Sequence, residues 1–197
     1  MGEIVTGGHH VPLPPGRWTI AHNQTEVLGS NSSQLFLVST TEGTIDRMVT
    51  ILRRTNPARD GFPPHALCSY PQYHAMTTAV NTRSRQECWH VRGVNYGLAG
   101  SPHPVNRILF DYAGTHKLFF PATMVGPRYH FADTAEMIEI EYLWNVDVLL
   151  PADTKAGVWV YPDWTKAAAE KDPRKTAIIT ELTRWGSEWL AKVKASL

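Results

Sequence analysis

Two cysteines, Cys68 and Cys88, enclose a loop-like stretch, and a bridge between them constrains the fold more than any other feature of the chain. The segment from Asn56 to about Ser101 has the weakest periodicity. Pro57, Gly61, Pro63, Pro64 and Pro71 break it into a long irregular connection, with an exit into a strand from about Cys88 to Asn95. A connection of this length inside a compact domain is either functional or pinned covalently. Closing a loop of about 20 residues contributes about 3 kcal/mol in the chain-entropy model. A Cys68–Cys88 disulfide is therefore expected, and with it an oxidising compartment.

The 197 residues fit one domain spanning 1–197, with 43% hydrophobic and 19% charged residues. A net charge of +1 supplies no field to recruit nucleic acid, so a nucleic-acid partner is not expected. No apolar run approaches the roughly 18 residues that span a bilayer. The N-terminus lacks the basic and apolar regions of a signal peptide. Either the protein is cytosolic with two free thiols, or an export signal was removed ahead of Met1. The loop-like segment between the cysteines, which a bridge would order, favours the second, and the expected location is periplasmic or secreted.

The pattern separates three regions. From Val11 to about Thr55 it predicts antiparallel β-structure: a rigid lead-in of Pro12, Pro14, Pro15 and Gly16, then short strands at Arg17–Ala21, Gln34–Ser39 and Ile45–Leu52, with a turn at Glu42-Gly43. The cysteine segment follows. In the third region Val105, Ile108, Leu109 and Tyr112 predict a helix from Pro104 to about His116. A hairpin then pairs Arg128–Phe131 with Met137–Trp144, where Ile138, Ile140, Tyr142 and Trp144 alternate with Glu139 and Glu141. Pro162-Asp163 open a short helix through Glu170. Asp172 caps a longer one, along which Ile178, Leu182, Trp185, Trp189 and Val193 make one apolar stripe. The expected fold is α+β, a single domain in which a curved antiparallel sheet is packed by the central helix and the C-terminal helices.

No assembled catalytic set can be named. The nine histidines show no HExxH, HxH or CxxC-type spacing, and His9-His10 on an extended strand point to opposite faces, so neither a metal site nor a cofactor is expected. Cys68 as a nucleophile, with His74, His90 or His103 as its base, has no local signature, and the disulfide is preferred. Glu139 and Glu141 share a face and suggest an acid/base pair, but the alternation assigns them to the solvated side of an amphipathic strand. No serine lies in a nucleophile elbow. The aromatic loop is the candidate binding site: Trp159, Tyr161 and Trp164 beside Pro162, able to stack on a sugar or clamp a peptide, with Asn95-Tyr96 second. The competing assignment has these rings fastening the C-terminal helices to the sheet.

The run Tyr129-His130-Phe131-Ala132-Asp133, the strand Ile138–Tyr142 with Asn145 beyond it, then Trp164, Asp172-Pro173 and Trp185 resemble the C-terminal half of a family of exported proteobacterial proteins to which no activity is attached. Cys88-Trp89 followed by Asn95, and Pro14-Pro15-Gly16-Arg17-Trp18, are also similar to that family, although its asparagine lies closer to the Cys-Trp pair. The resemblance implies export and supplies no chemistry. The function expected is that of a non-catalytic exported protein that binds a protein partner, an envelope component or a ligand, in one form as an accessory subunit of a cell-envelope assembly. The alternative is a small periplasmic hydrolase acting on cell-wall or polysaccharide material.

Overall fold

The computed structural model describes residues 2–24, 31–96, 104–150 and 160–197. It is α+β. Strands β1 (Gly2–Thr6) and β2 (His9–Leu13) form a separate hairpin. Strands β3 (Thr19–Gln24), β4 (Ser32–Thr41), β5 (Thr44–Thr55), β6 (Ala75–Asn81), β7 (Gln86–Asn95), β8 (Thr123–Ala132) and β9 (Glu136–Asn145) form one antiparallel sheet in the order β3-β4-β5-β9-β8-β7-β6. After β5 the chain crosses to the far edge through residues 56–74, then returns as a meander. This leaves β9 at the centre of the sheet, between β5 and β8. The loop flagged by its prolines is thus the crossover that makes the topology.

Local chemistry accounts for the turns. Glu42 and Gly43 both take positive φ, 50° and 75°, the two-residue hairpin geometry that splays the strands least. The β8–β9 hairpin pairs Ala132 with Met137 and Phe131 with Ile138, and Asp133 Oδ1 accepts from the backbone N–H groups of Ala135 and Glu136. Helix α4 (Pro173–Lys194) begins where the sequence places it: the Asp172 carboxylate accepts from the Arg174 N–H at 3.0 Å, with Pro173 in the first position.

Side chains of alternate parity build two cores on opposite faces. On one face Leu35, Leu37, Val49, Ile51, Val125, Tyr129, Ile138, Ile140 and Tyr142 meet Leu182, Trp189 and Val193 of α4, together with Val11 and Leu13 of β2. Each such side chain, fully buried, is worth about 1.5–3 kcal/mol. The approach of α4 depends on Gly186. A Cβ at this position would lie 2.9 Å from the Trp89 ring and 3.1 Å from Pro127, and the Gly186 carbonyl accepts from Tyr129 Oη at 2.7 Å. On the other face Phe36, Val38, Met48, Met124 and Leu143 pack beneath Leu109 and Ala113 of α1 (Pro104–Thr115).

Three local expectations change. Pro12 of the proline-rich lead-in falls within β2, the second limb of a β1–β2 hairpin turned by Gly7 and Gly8 at φ 58° and 90°. Strand β6 is an added, largely exposed edge strand. The helix expected from Pro162 divides into a 3-10 turn at Tyr161–Trp164 and the single turn α3 (Lys166–Ala169). Val146–Leu149 forms a further short turn, α2, and no helix of the described residues is long and apolar enough to cross a membrane.

Candidate functional site

The α1 side of the sheet becomes polar toward β6 and β7. Gln86, Cys88, His90 and Arg92 of β7, Arg128 and His130 of β8, and Glu139 and Glu141 of β9 share that face, as the strand alternation requires. The crossover closes over it, with a 3-10 turn at Ala66–Ser69. Cys68 in this turn is bonded to Cys88, with Cα atoms 5.6 Å apart. Asn81 holds the same segment in both directions, accepting from the His65 N–H at 2.8 Å and donating to its carbonyl at 3.1 Å.

Beneath this roof the two glutamates are buried, at 4% and 5% exposure, which overturns their assignment to a solvated face. A central strand covered on both sides has no solvated face, so its charges must be paired. Glu141 accepts from Arg92 Nε at 2.6 Å. Glu139 accepts from Arg128 and, at 3.0 Å, from His130 Nδ1. Burial works against the charged Glu139, but the His130 hydrogen bond and the Arg128 charge prevail and take its carboxyl down to about 2. A carboxylate held this way has no proton to donate at neutral pH, so it cannot serve as a general acid.

The hydrogen bonds also fix the ring of His130 at both nitrogens. Gln86 Nε2 donates to the carbonyls of Phe62 and Pro63, both at 2.9 Å, so its Oε1 must face His130 Nε2 at 2.8 Å. Each ring nitrogen of His130 therefore faces an oxygen, Glu139 on one side and Gln86 on the other. His65 stacks on His130 with ring centres 4.2 Å apart. Its Nε2 lies 3.3 Å from Glu139, whereas its buried Nδ1 has no partner among the described residues. His90 stacks flat on Tyr73 at 3.8 Å, and neither of its ring nitrogens is hydrogen-bonded among the described residues. Burial lowers the pKa of His65 to about 4 and that of His90 to about 2.

An open cleft of about 780 Å³ adjoins this polar face. One wall is Tyr70, Gln72 and Tyr73 of the roof, the floor is Arg92 and Gly93, and the other wall is Tyr161, Trp164 and Lys166. Gly93 permits the close approach of the second wall, because a Cβ there would lie 3.1 Å from the Trp164 carbonyl and 3.5 Å from the Tyr161 ring. His74 fixes the same turn by donating from Nε2 to the Trp164 carbonyl at 3.0 Å. Arg92 has committed Nε to Glu141 and makes no other hydrogen bond among the described residues, so its two terminal nitrogens remain available at the cleft floor.

The sequence candidates separate on this geometry. Tyr161 lines the cleft and is half-buried. Trp164 contributes to the cleft wall, but its ring is 0% exposed and packs under Lys175, whose Nζ lies 5.7 Å from the ring centre. Its ring fastens the C-terminal segment to the sheet, the competing assignment. Tyr96 is 4% exposed and meets Phe120 edge-on beneath α1, and Asn95 pairs with Thr123 on β8, so neither lines the cleft. Trp159 lies outside the described residues. Sequence reasoning missed Arg92, Tyr70 and Tyr73. The run Tyr70-Pro71-Gln72-Tyr73 was a visible aromatic signal, but nothing in the sequence brings it opposite Tyr161. Comparison with protein-family models, curated proteins and solved structures finds no match.

Proposed function

We propose that this is a non-catalytic, exported binding protein of the cell envelope, and that the cleft between the disulfide-tied roof and the C-terminal segment is its binding site. The ligand class that suits the cleft is an acidic saccharide. Tyrosine faces at Tyr70 and Tyr161 pack against the apolar faces of sugar rings, and a carboxylate completes the guanidinium of Arg92. Lys166 on the rim adds a second positive charge, partly balanced by Glu170. The observation that carries the reading is Arg92: a guanidinium oriented by Glu141, with its terminal nitrogens unspent, at the floor of an aromatic cleft. The disulfide and the absence of a membrane-crossing helix among the described residues are compatible with export.

Calorimetric titration with an oligomer of a hexuronic acid, and with its neutral hexose counterpart, tests this. The acidic oligomer is expected to bind at least tenfold tighter, a difference of about 1.4 kcal/mol, and Tyr161→Ala to weaken it five- to tenfold. Equal affinity for the two oligomers, or a Tyr161→Ala variant that binds like the parent, contradicts the assignment.

A further inference from the structure

The roof cluster contains a donor set that the cleft does not use. One ligand atom from each of His65, Cys68 and His130 lies within 4.8 Å of the others, and Cys88 is bonded to Cys68. We infer that, when the disulfide is reduced, Cys68, Cys88, His65 and His130 form a binding site for a tetrahedral divalent metal, of which zinc is the expected ion.

Two thiolates and two imidazoles are a zinc donor set, with metal–ligand distances near 2.0–2.3 Å. The histidine nitrogens and the Cys68 sulfur therefore have to close by about 1 Å around the ion, while the two sulfurs move apart to tetrahedral ligand spacing. The segment supplying His65 and Cys68 is held by Asn81 and by the Thr78 hydroxyl, which donates to the Cys68 carbonyl. It thus stays above the sheet once the sulfurs part. Glu139 occupies the place of an outer carboxylate: it lies against His65 Nε2 and His130 Nδ1, and such backing orients a ligating imidazole. His65 Nδ1 is already buried without a partner among the described residues. His130 must turn one ring nitrogen from its present oxygen neighbour to the metal. Two thiolates neutralise the dication, so the metal and its two sulfurs together carry no net charge.

The chemistry balances in two steps. A dithiol gives its two hydrogens to the Cys68–Cys88 sulfurs and becomes a cyclic disulfide, or a phosphine and one water give two electrons and two protons and become the phosphine oxide. Either leaves two thiols. Zinc then displaces the two thiol protons, with a further proton leaving any imidazole that carried two. Disulfide and metal are thus alternative ties between the roof and β7. Because Tyr70 and Tyr73 belong to the same roof, both ties preserve the cleft wall.

The test uses the full chain, reduced with a phosphine, freed of reductant under anaerobic conditions and titrated with Co²⁺ as a spectroscopic probe. One equivalent is expected, with the visible absorption of tetrahedral cobalt and thiolate-to-cobalt charge transfer. The oxidised chain should show neither. His65→Ala and His130→Ala are each expected to weaken binding at least tenfold and to change the visible band. A circular dichroism spectrum of each oxidised variant checks its fold. A second measurement needs no variant: Zn²⁺ should slow reoxidation of the reduced parent by oxidised glutathione at least tenfold. A reduced chain that takes up no Co²⁺, or one whose uptake and spectrum are indifferent to both histidine replacements, overturns the inference. So does a reoxidation rate that Zn²⁺ leaves unchanged. The cleft reading survives such a failure, since the saccharide titration uses the oxidised chain.

Discussion

Glu139→Ala is the sharpest single test of the buried polar face. The glutamate is 4% exposed, accepts from Arg128 and His130, and lies 3.3 Å from His65. Removing it strands the Arg128 guanidinium and the Nδ1–H of His130 beneath the roof. Breaking a buried ion pair by deleting one partner costs about 3–5 kcal/mol. For a chain of this size each kcal/mol shifts the melting temperature by about 2–4 °C, so the expected loss is about 6–20 °C. Thermal unfolding at neutral pH, followed by far-UV circular dichroism with the disulfide intact, reads this directly. Glu181→Ala is the matched control. Its pairing with Arg184 lies on the exposed face of α4, where solvent screens the pair. If Glu139→Ala melts within about 2 °C of the parent, the carboxylate is solvated as the alternation alone suggests, and the buried network is refuted. Adding Arg128→Met to Glu139→Ala should restore part of the loss, because the double replacement leaves no stranded guanidinium.

Other expectations can be checked together. The Cys68→Ser/Cys88→Ser chain in metal-free buffer should lose about 3 kcal/mol, a fall of about 6–12 °C in thermal unfolding, with unchanged stability as the contrary result. Acid should destabilise from the histidines first. His65 and His90 have folded pKa values of about 4 and 2 against an ordinary 6.5, so the unfolded chain takes up their protons first and stability falls as pH drops below about 6.5. Glu139, at about 2 against 4.5, contributes stability above 4.5 that is lost as pH falls from there toward 2. Denaturant unfolding at a series of pH values should show both limbs, and His90→Leu should flatten the upper one. Gly93→Ala should push the Tyr161–Trp164 turn off β7 at a cost of about 1–3 kcal/mol and weaken saccharide binding, as unfolding and titration of the same sample will show.

How far the sequence could be read depends on what each pattern encodes. The β8–β9 hairpin and α4 were legible because their signals are local: Asp133 supplies the turn acceptor, and Asp172-Pro173 start the helix whose stripe reaches Val193. The burial of Glu139 and Glu141 was not legible. Alternation tells which side chains share a face, while what covers that face is decided by the crossover from β5 and by the central place of β9. Strand β6 escaped notice because an edge strand with four consecutive exposed residues carries no apolar alternation. Gly7-Gly8 between two short strands is a hairpin signal that went unread, because Pro12 made the segment look like a rigid lead-in rather than a strand. That residue is tolerated because the hairpin has only edges. For the cleft, the sequence supplied Tyr161 and the cysteine tie separately. Only the folded sheet sets Arg92 between them.

Placement of the ligand is the most direct test of the cleft assignment. Nuclear magnetic resonance of the oxidised chain, labelled at tyrosine rings and arginine side chains and titrated with the hexuronic acid oligomer, should move the Tyr70, Tyr73 and Tyr161 ring signals and Arg92 Nε–H. Tyr96 and Tyr129, buried in the two cores, should stay in place. Shifts confined to other surfaces, or none at saturating oligomer, would contradict the assignment.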